Sequence, residues 1–193
     1  MSPIGTKCVQ ESSSNEQLFR NLKLTKTALL AGKNLVKKLN SRIVLSLEEG
    51  KKMSFSDYSS NEDESLIKTY TYLVFSHQMN LYFVQLMRYE SSDYITISKK
   101  GKIDTLWSQP YVSPQGKTAV ALSRGLEYEV YSNGFQVYET KTGGLTKVCT
   151  KIIEKYEPMD LRWINEKSFI LKLRDPFSKA QPKKTVYRKY TLE

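Results

Sequence analysis

Cysteine and histidine are nearly missing from this chain: two cysteines, Cys8 and Cys149, and one histidine, His77, in 193 residues. Two thiols cannot frame a disulfide-dense small domain or complete a four-ligand zinc cage. Cys8 belongs to a polar lead-in far from Cys149, so the sequence predicts no bridge between them. His77 sits between two strand-like runs with neither cysteine nearby, which leaves a Cys–His dyad without local support. No apolar run approaches the roughly 20 residues that span a bilayer, and residues 1–10 lack the apolar core of a secretory signal. No Asn-x-Ser/Thr acceptor occurs. A phosphate-cradling P-loop, a Gly-x-Gly-x-x-Gly fingerprint and a Gly-x-Ser-x-Gly elbow are likewise missing, so no cofactor, metal or catalytic nucleophile is expected.

What is present is charge and β-forming side chains. The formal net charge is +10, and 13 tyrosines lift the aromatic fraction to 11%, a composition that favours sheet over helix bundle. The excess of lysine and arginine raises nucleic acid, or another polyanion, as an alternative partner. Its densest groups, Lys33/Lys37/Lys38/Arg42 and Lys179/Lys183/Lys184/Arg188/Lys189, also suit solvated faces. The length accommodates one domain with a proper core, here a flexible lead-in over 1–17 followed by a single mostly β domain over 18–193.

Leu18, Leu22, Leu29 and Val36 fall at helical spacings, with Asn15 as a cap, and predict a short helix within 16–31. Beyond it the pattern is of strands. Ile43, Leu45 and Leu47 alternate, Glu48–Lys51 interrupts, and Met53 and Phe55 resume, which is a hairpin. Further strands are predicted at 67–75, 81–89, 94–98, 103–106, 118–123, 129–131, 135–139, 145–153, 161–164, 168–174 and 185–192. Asn133-Gly134 and Gly143-Gly144 read as hairpin turns. In Ser113-Pro114-Gln115-Gly116-Lys117 the proline presets φ at the first central turn position and the glycine permits the reversal into Thr118–Ser123.

Three segments, 72–106, 111–148 and 161–192, repeat an order of strands and turns with a period of about 40 residues, the size of one propeller blade. The stretch 107–123 resembles the Pro-x-x-Ser-Pro-Asp-Gly-Lys segment of TolB-like, WD-type β-propeller repeats. Pro110, Ser113, Pro114, Gly116 and Lys117 match, Gln115 replaces the aspartate and Val112 the tryptophan; residues 162–169 resemble a degenerate second copy. The resemblance implies a mainly β, antiparallel and propeller-like fold. About three blades are too few to close a ring, so the expectation is an incomplete propeller or a two-layer sandwich. It also implies an interaction platform, while some hydrolases carry such repeats.

The expected function is therefore a non-enzymatic binding or protein-interaction module, in the cell envelope or periplasm if a signal segment was removed and otherwise cytoplasmic. Two alternatives stand beside it. Tyr82, Arg88, Tyr89, Tyr94, Tyr187, Arg188 and Tyr190 interleave aromatic and basic groups, as a stacking surface for single-stranded nucleic acid would. Glu127 and Glu129 share one face of a strand, and Glu90 and Asp93 bracket a turn, the kind of paired carboxylates a small glycosidase needs. The last strand, 185–192, is the expected open edge for strand addition by a protein partner or a second copy.

Overall fold

The computed structural model describes residues 8–23, 36–126, 132–141 and 143–193. The protein is mainly β, and its described strands form four antiparallel sheets, none closed on itself. Sheet A joins β2 (Lys38–Leu39), β3 (Arg42–Ser46) and β4 (Lys52–Ser56). Sheet B runs in chain order through β5 (Lys68–Ser76), β6 (Leu81–Arg88), β7 (Ser92–Ser98) and β8 (Ile103–Leu106). Sheet C does the same with β9 (Tyr111–Val112), β10 (Thr118–Ser123), β11 (Gly134–Lys141) and β12 (Gly144–Ile152). Sheet D takes β13 (Glu157–Trp163), β14 (Ser168–Arg174) and β15 (Thr185–Leu192), and adds β1 (Val9–Ser14) beside β15.

These elements gather into two compact units, one of Met1–Lys26, Gln109–Thr140 and Thr146–Glu193, the other of Thr27–Ser108 and Lys141–Leu145. The second unit contains sheets A and B. The predicted hairpin is there, with Ile43 opposite Phe55 and Leu45 opposite Met53. Its connection is the short 3₁₀ turn Glu48–Gly50, where Glu49 and Gly50 both take positive φ. Ile43 and Leu45 pack with Phe75, Tyr82, Val84, Leu86, Ile95 and Ile97 of sheet B. Alternation along β6 and β7 delivers that face.

In the first unit, sheets C and D face each other. Val120, Leu122, Phe135 and Val137 meet Leu161, Trp163, Phe169, Leu171, Leu173 and Tyr190 in one core, and the Trp163 indole N–H donates to the Tyr111 carbonyl at 3.3 Å. The Ser113–Lys117 turn forms as the sequence predicts. The Gly116 N–H bonds the Ser113 carbonyl at 2.9 Å, and Gly116 has φ +73°. Gly116→Val should therefore lower the unfolding free energy by about 1–3 kcal/mol, because a β-branched residue is strained at positive φ; an unchanged urea midpoint would contradict this.

Three expectations are corrected. The lead-in was expected to be without structure, yet Val9–Ser14 pairs along its length with β15, from Val9 opposite Leu192 to Ser14 opposite Tyr187. Its serine-rich sequence hides the strand because only Val9 packs against the core. For the same reason β15 is no open edge: β14 lies on one side and β1 on the other. Finally, Cys8 and Cys149 form a disulfide, with Cα atoms 6.2 Å apart. Sequence separation misled, since pairing with β15 carries the first strand back across the sheet toward β12.

The helix is α1 (Glu16–Asn21), and the Asn15 side chain accepts from the Leu18 N–H at 2.8 Å, as a cap should. It stops at Leu22, whose ψ of 139° is extended. The remainder of the predicted helix, 24–31, lies outside the described residues, as do the predicted strand 129–131 and the carboxylates Glu127 and Glu129.

Candidate functional site

The residues proposed as an aromatic and basic surface are placed individually by strand alternation. In sheet B, Tyr82 is buried in the core, and its hydroxyl donates to the Ser46 carbonyl at 2.6 Å. Lys99 donates to the same hydroxyl at 2.6 Å and to Ser46 O at 3.0 Å, while its ammonium lies 4.6 Å from the Tyr82 ring centroid and 4.8 Å from that of Phe75. His77 meets Phe75 edge-on, with centroids 5.0 Å apart. This cation–aromatic cluster joins sheet A to sheet B. Arg88 is paired with Asp93 across the β6–β7 turn, Tyr89 is exposed in that turn, and Tyr94 stands opposite Gln85, on the face away from Tyr82.

In sheet D the same rule sets Tyr187 on one face and Arg188 and Tyr190 on the other. Tyr190 points into the core between Phe135 and Phe169, with centroids 5.0 and 5.6 Å away. Burial first, then the charge of the nearby Glu11 carboxylate and its hydrogen bond, pushes the Tyr190 hydroxyl pKa upward. Tyr187 faces the opposite side, beneath α1, 5.3 Å from Phe19; burial and the Glu16 carboxylate raise its pKa as well. Arg188 bonds Ser13 at 3.1 Å and lies 3.6 Å from Glu11, both on β1. No single platform gathers Tyr187, Arg188 and Tyr190.

Several polar side chains whose partners no sequence motif marks hold this unit in shape. Arg162 places its guanidinium within 2.8–3.1 Å of the Phe19, Arg20 and Leu22 carbonyls and over the Phe19 ring at 4.6 Å, satisfying the C-terminal end of α1. Buried Asn133 accepts from the Gly125 N–H at 3.2 Å and donates to the carbonyls of Ile153 and Tyr156. Glu166, in the turn between β13 and β14, clasps the Ser113–Lys117 turn of the facing sheet: it accepts from the Ser113 hydroxyl, from Gln115 N at 2.8 Å and from Lys117 N at 2.9 Å.

Burial alone would raise the Glu166 carboxyl, but these donors and the Lys117 ammonium outweigh it and hold the pKa below its usual value. In the other unit Asp57 behaves alike: burial opposes, while Lys38 at 2.5 Å and the Tyr70 N–H at 2.8 Å win and lower it. A depressed carboxyl contributes stability that is complete above the unfolded carboxylate pKa and lost as pH falls through the folded one. Urea midpoints should therefore drop on acidification through that range. Glu166→Gln should cost about 1–3 kcal/mol at neutral pH, since it leaves one short acceptor set in place of a charged one, and should flatten the acid limb; a variant with the wild-type acid limb would reject this role.

Beside the disulfide, the first unit has a cleft of about 350 Å³ lined by Cys8, Val137, Glu139, Val148, Lys167 and Leu192 among others. Its lining mixes apolar side chains, Val137, Val148 and Leu192, with Thr118, Glu139, Lys167 and Glu193. Val148 belongs equally to β12, the outer strand of sheet C, along which Thr146, Lys147, Val148, Thr150 and Ile152 are all exposed. Comparison with protein-family models, with curated proteins and with solved structures finds no match to this chain.

Proposed function

We propose that this chain is a non-enzymatic protein-interaction module, built as an incomplete propeller-like stack and matured in an oxidising compartment such as the cell envelope. One observation carries the reading: sheets B and C are consecutive antiparallel meanders, sheet D is completed by β1 from the other end of the described chain, and a disulfide joins Cys8 to the outer strand of sheet C. Meanders of this size completed by a returning strand are how propeller-type scaffolds arrange their blades. Disulfides persist where thiols are not kept reduced, which favours the envelope over the cytoplasm.

Supporting it further, the groups best suited to other functions have structural partners. Arg88, Arg162 and Arg188 are held by Asp93, by α1 carbonyls and by β1, rather than arrayed along a phosphate track. The test uses the oxidised protein with single-stranded and duplex oligonucleotides across a salt series, alongside thiol counting before and after a dithiol reductant. Weak association without a steep salt slope, and thiols released only by reductant, are expected. A linear log–log slope of several released counterions would replace the reading with a polyanion binder.

A further inference from the structure

We infer that the outer edge of β12, from Thr146 to Ile152, docks an extended acidic segment of a partner protein by strand addition. The inference rests on the reading of the chain as an interaction module and names its surface and the chemistry of its partner. Among the described residues β12 is hydrogen-bonded to β11 on one side and to no strand on the other. The Ile153 N–H donates to Asn133 O on the β11 side, and the Lys151 carbonyl also abuts Gly134 there. Alternation along the strand then directs the backbone N–H and C=O of Thr150 and Ile152 outward, as an unpaired template.

The side chains along this edge invite pairing. Val148 is 59% and Ile152 50% exposed, and with Thr146 and Thr150 they make a β-branched row of high strand propensity. One outer strand of sheet D, by contrast, is the serine-rich β1, with Glu11 among its residues. The disulfide at Cys149 fixes the middle of β12, which lowers the ordering cost of receiving a strand. The cleft at Val148, lined by Val137 and Leu192 and also by Lys167, Glu139 and Glu193, lies beside the strand, and strand-addition sites use such recesses to select side chains.

Charge selects the occupant. Between Glu139 and Glu154 the sequence has three lysines, Lys141, Lys147 and Lys151, and no acidic residue. Antiparallel pairing of two copies about Cys149 would set Lys147 opposite Lys151 twice, and parallel in-register pairing would set each lysine against itself. Like charges directly opposed destabilise a sheet, so a second copy is disfavoured and an acidic strand is favoured.

The experiment titrates the oxidised protein with a synthetic peptide of alternating glutamate and valine, its glutamate-to-lysine analogue, and a proline-interrupted acidic analogue, and maps amide hydrogen exchange. Only the first should bind, with new protection confined to 146–152. Thr150→Pro removes an outward N–H without touching the β11 pairing and should weaken binding about tenfold or more; Lys147→Glu with Lys151→Glu should abolish it while the fold is retained. Equal binding of the basic analogue, protection elsewhere on the protein, unaltered affinity in both folded variants, no binding at all, or a concentration-dependent dimer protected at β12 would each overturn the inference. Protection mapped to another strand would leave the interaction-module reading standing, whereas a steep nucleic-acid salt slope would remove that reading alone.

Discussion

Gly134→Ala is expected to cost about 4 kcal/mol, the sum of a strained backbone and an overpacked contact, and to loosen β12 from β11. Gly134 has φ +146°, where side chains are rarely found, and a Cβ there would overlap the Lys151 backbone carbonyl. The neighbour cannot yield, because it is main chain, and because Asn133 immediately before it is tied to Gly125, Ile153 and Tyr156. Gly144→Ala is the matched control: nothing lies within 4 Å of its would-be Cβ, so its effect should stay within about 0.5 kcal/mol. Urea unfolding of the two variants measures the difference. A Gly134→Ala protein as stable as the control would show that the β11–β12 pairing tolerates a side chain at this position.

Removing the disulfide should have an effect of comparable size. Cys8 and Cys149 are 141 positions apart, and the chain-entropy relation assigns a loop of that length about 5 kcal/mol of destabilisation of the unfolded state as an upper figure. The Cys8→Ser, Cys149→Ser double variant should unfold at lower urea, and amides of Val9–Ser14 should lose exchange protection before those of β14. β1 is the vulnerable element because it contributes one apolar side chain to the core and holds its place through backbone pairing with β15 and the Glu11–Arg188 pair. Unchanged protection in β1 of the serine variant would mean that α1 and Arg162 anchor it alone.

Much of the sheet structure is legible in the sequence because burial on one face imposes alternation. β8, β10, β14 and β15 begin and end where period and turn residues place them. Ser113–Lys117 turns as proline and glycine dictate. β1 escaped because a strand with one apolar side chain, Val9, has no hydrophobic period, and its side-chain contacts to β15 are polar. β2 and β9, two residues each, are too short to show one. The Asn40-Ser41 reversal between β2 and β3, both at positive φ, lacked the glycine that marks such turns.

The candidate site was legible in part. Aromatic and basic residues do alternate in 81–94 and 187–190, but period two separates neighbours onto opposite faces, so the list could not form one surface. What organises the unit are polar contacts between residues distant in sequence, such as Glu166 with the Ser113–Lys117 turn and Arg162 with α1. Spacing carries no trace of them. Within 162–169, the degenerate repeat copy, the Glu166 carboxylate was the available clue to a capping role.

The pairing of β1 with β15 also sets an order of events. Ser13 and Arg188, joined across these strands, are 175 positions apart. Among the described strands the ribosome makes β1 before all others, and its neighbour among them, β15, after all others. During that interval the first segment has no ladder to join, and Cys8 has no Cys149 until most of the chain is synthesised. Sheet D is thus the last to close during vectorial synthesis. Contacts of such long range are slow to form, so the hairpins of sheet B should gain exchange protection in a refolding protein before this sheet closes.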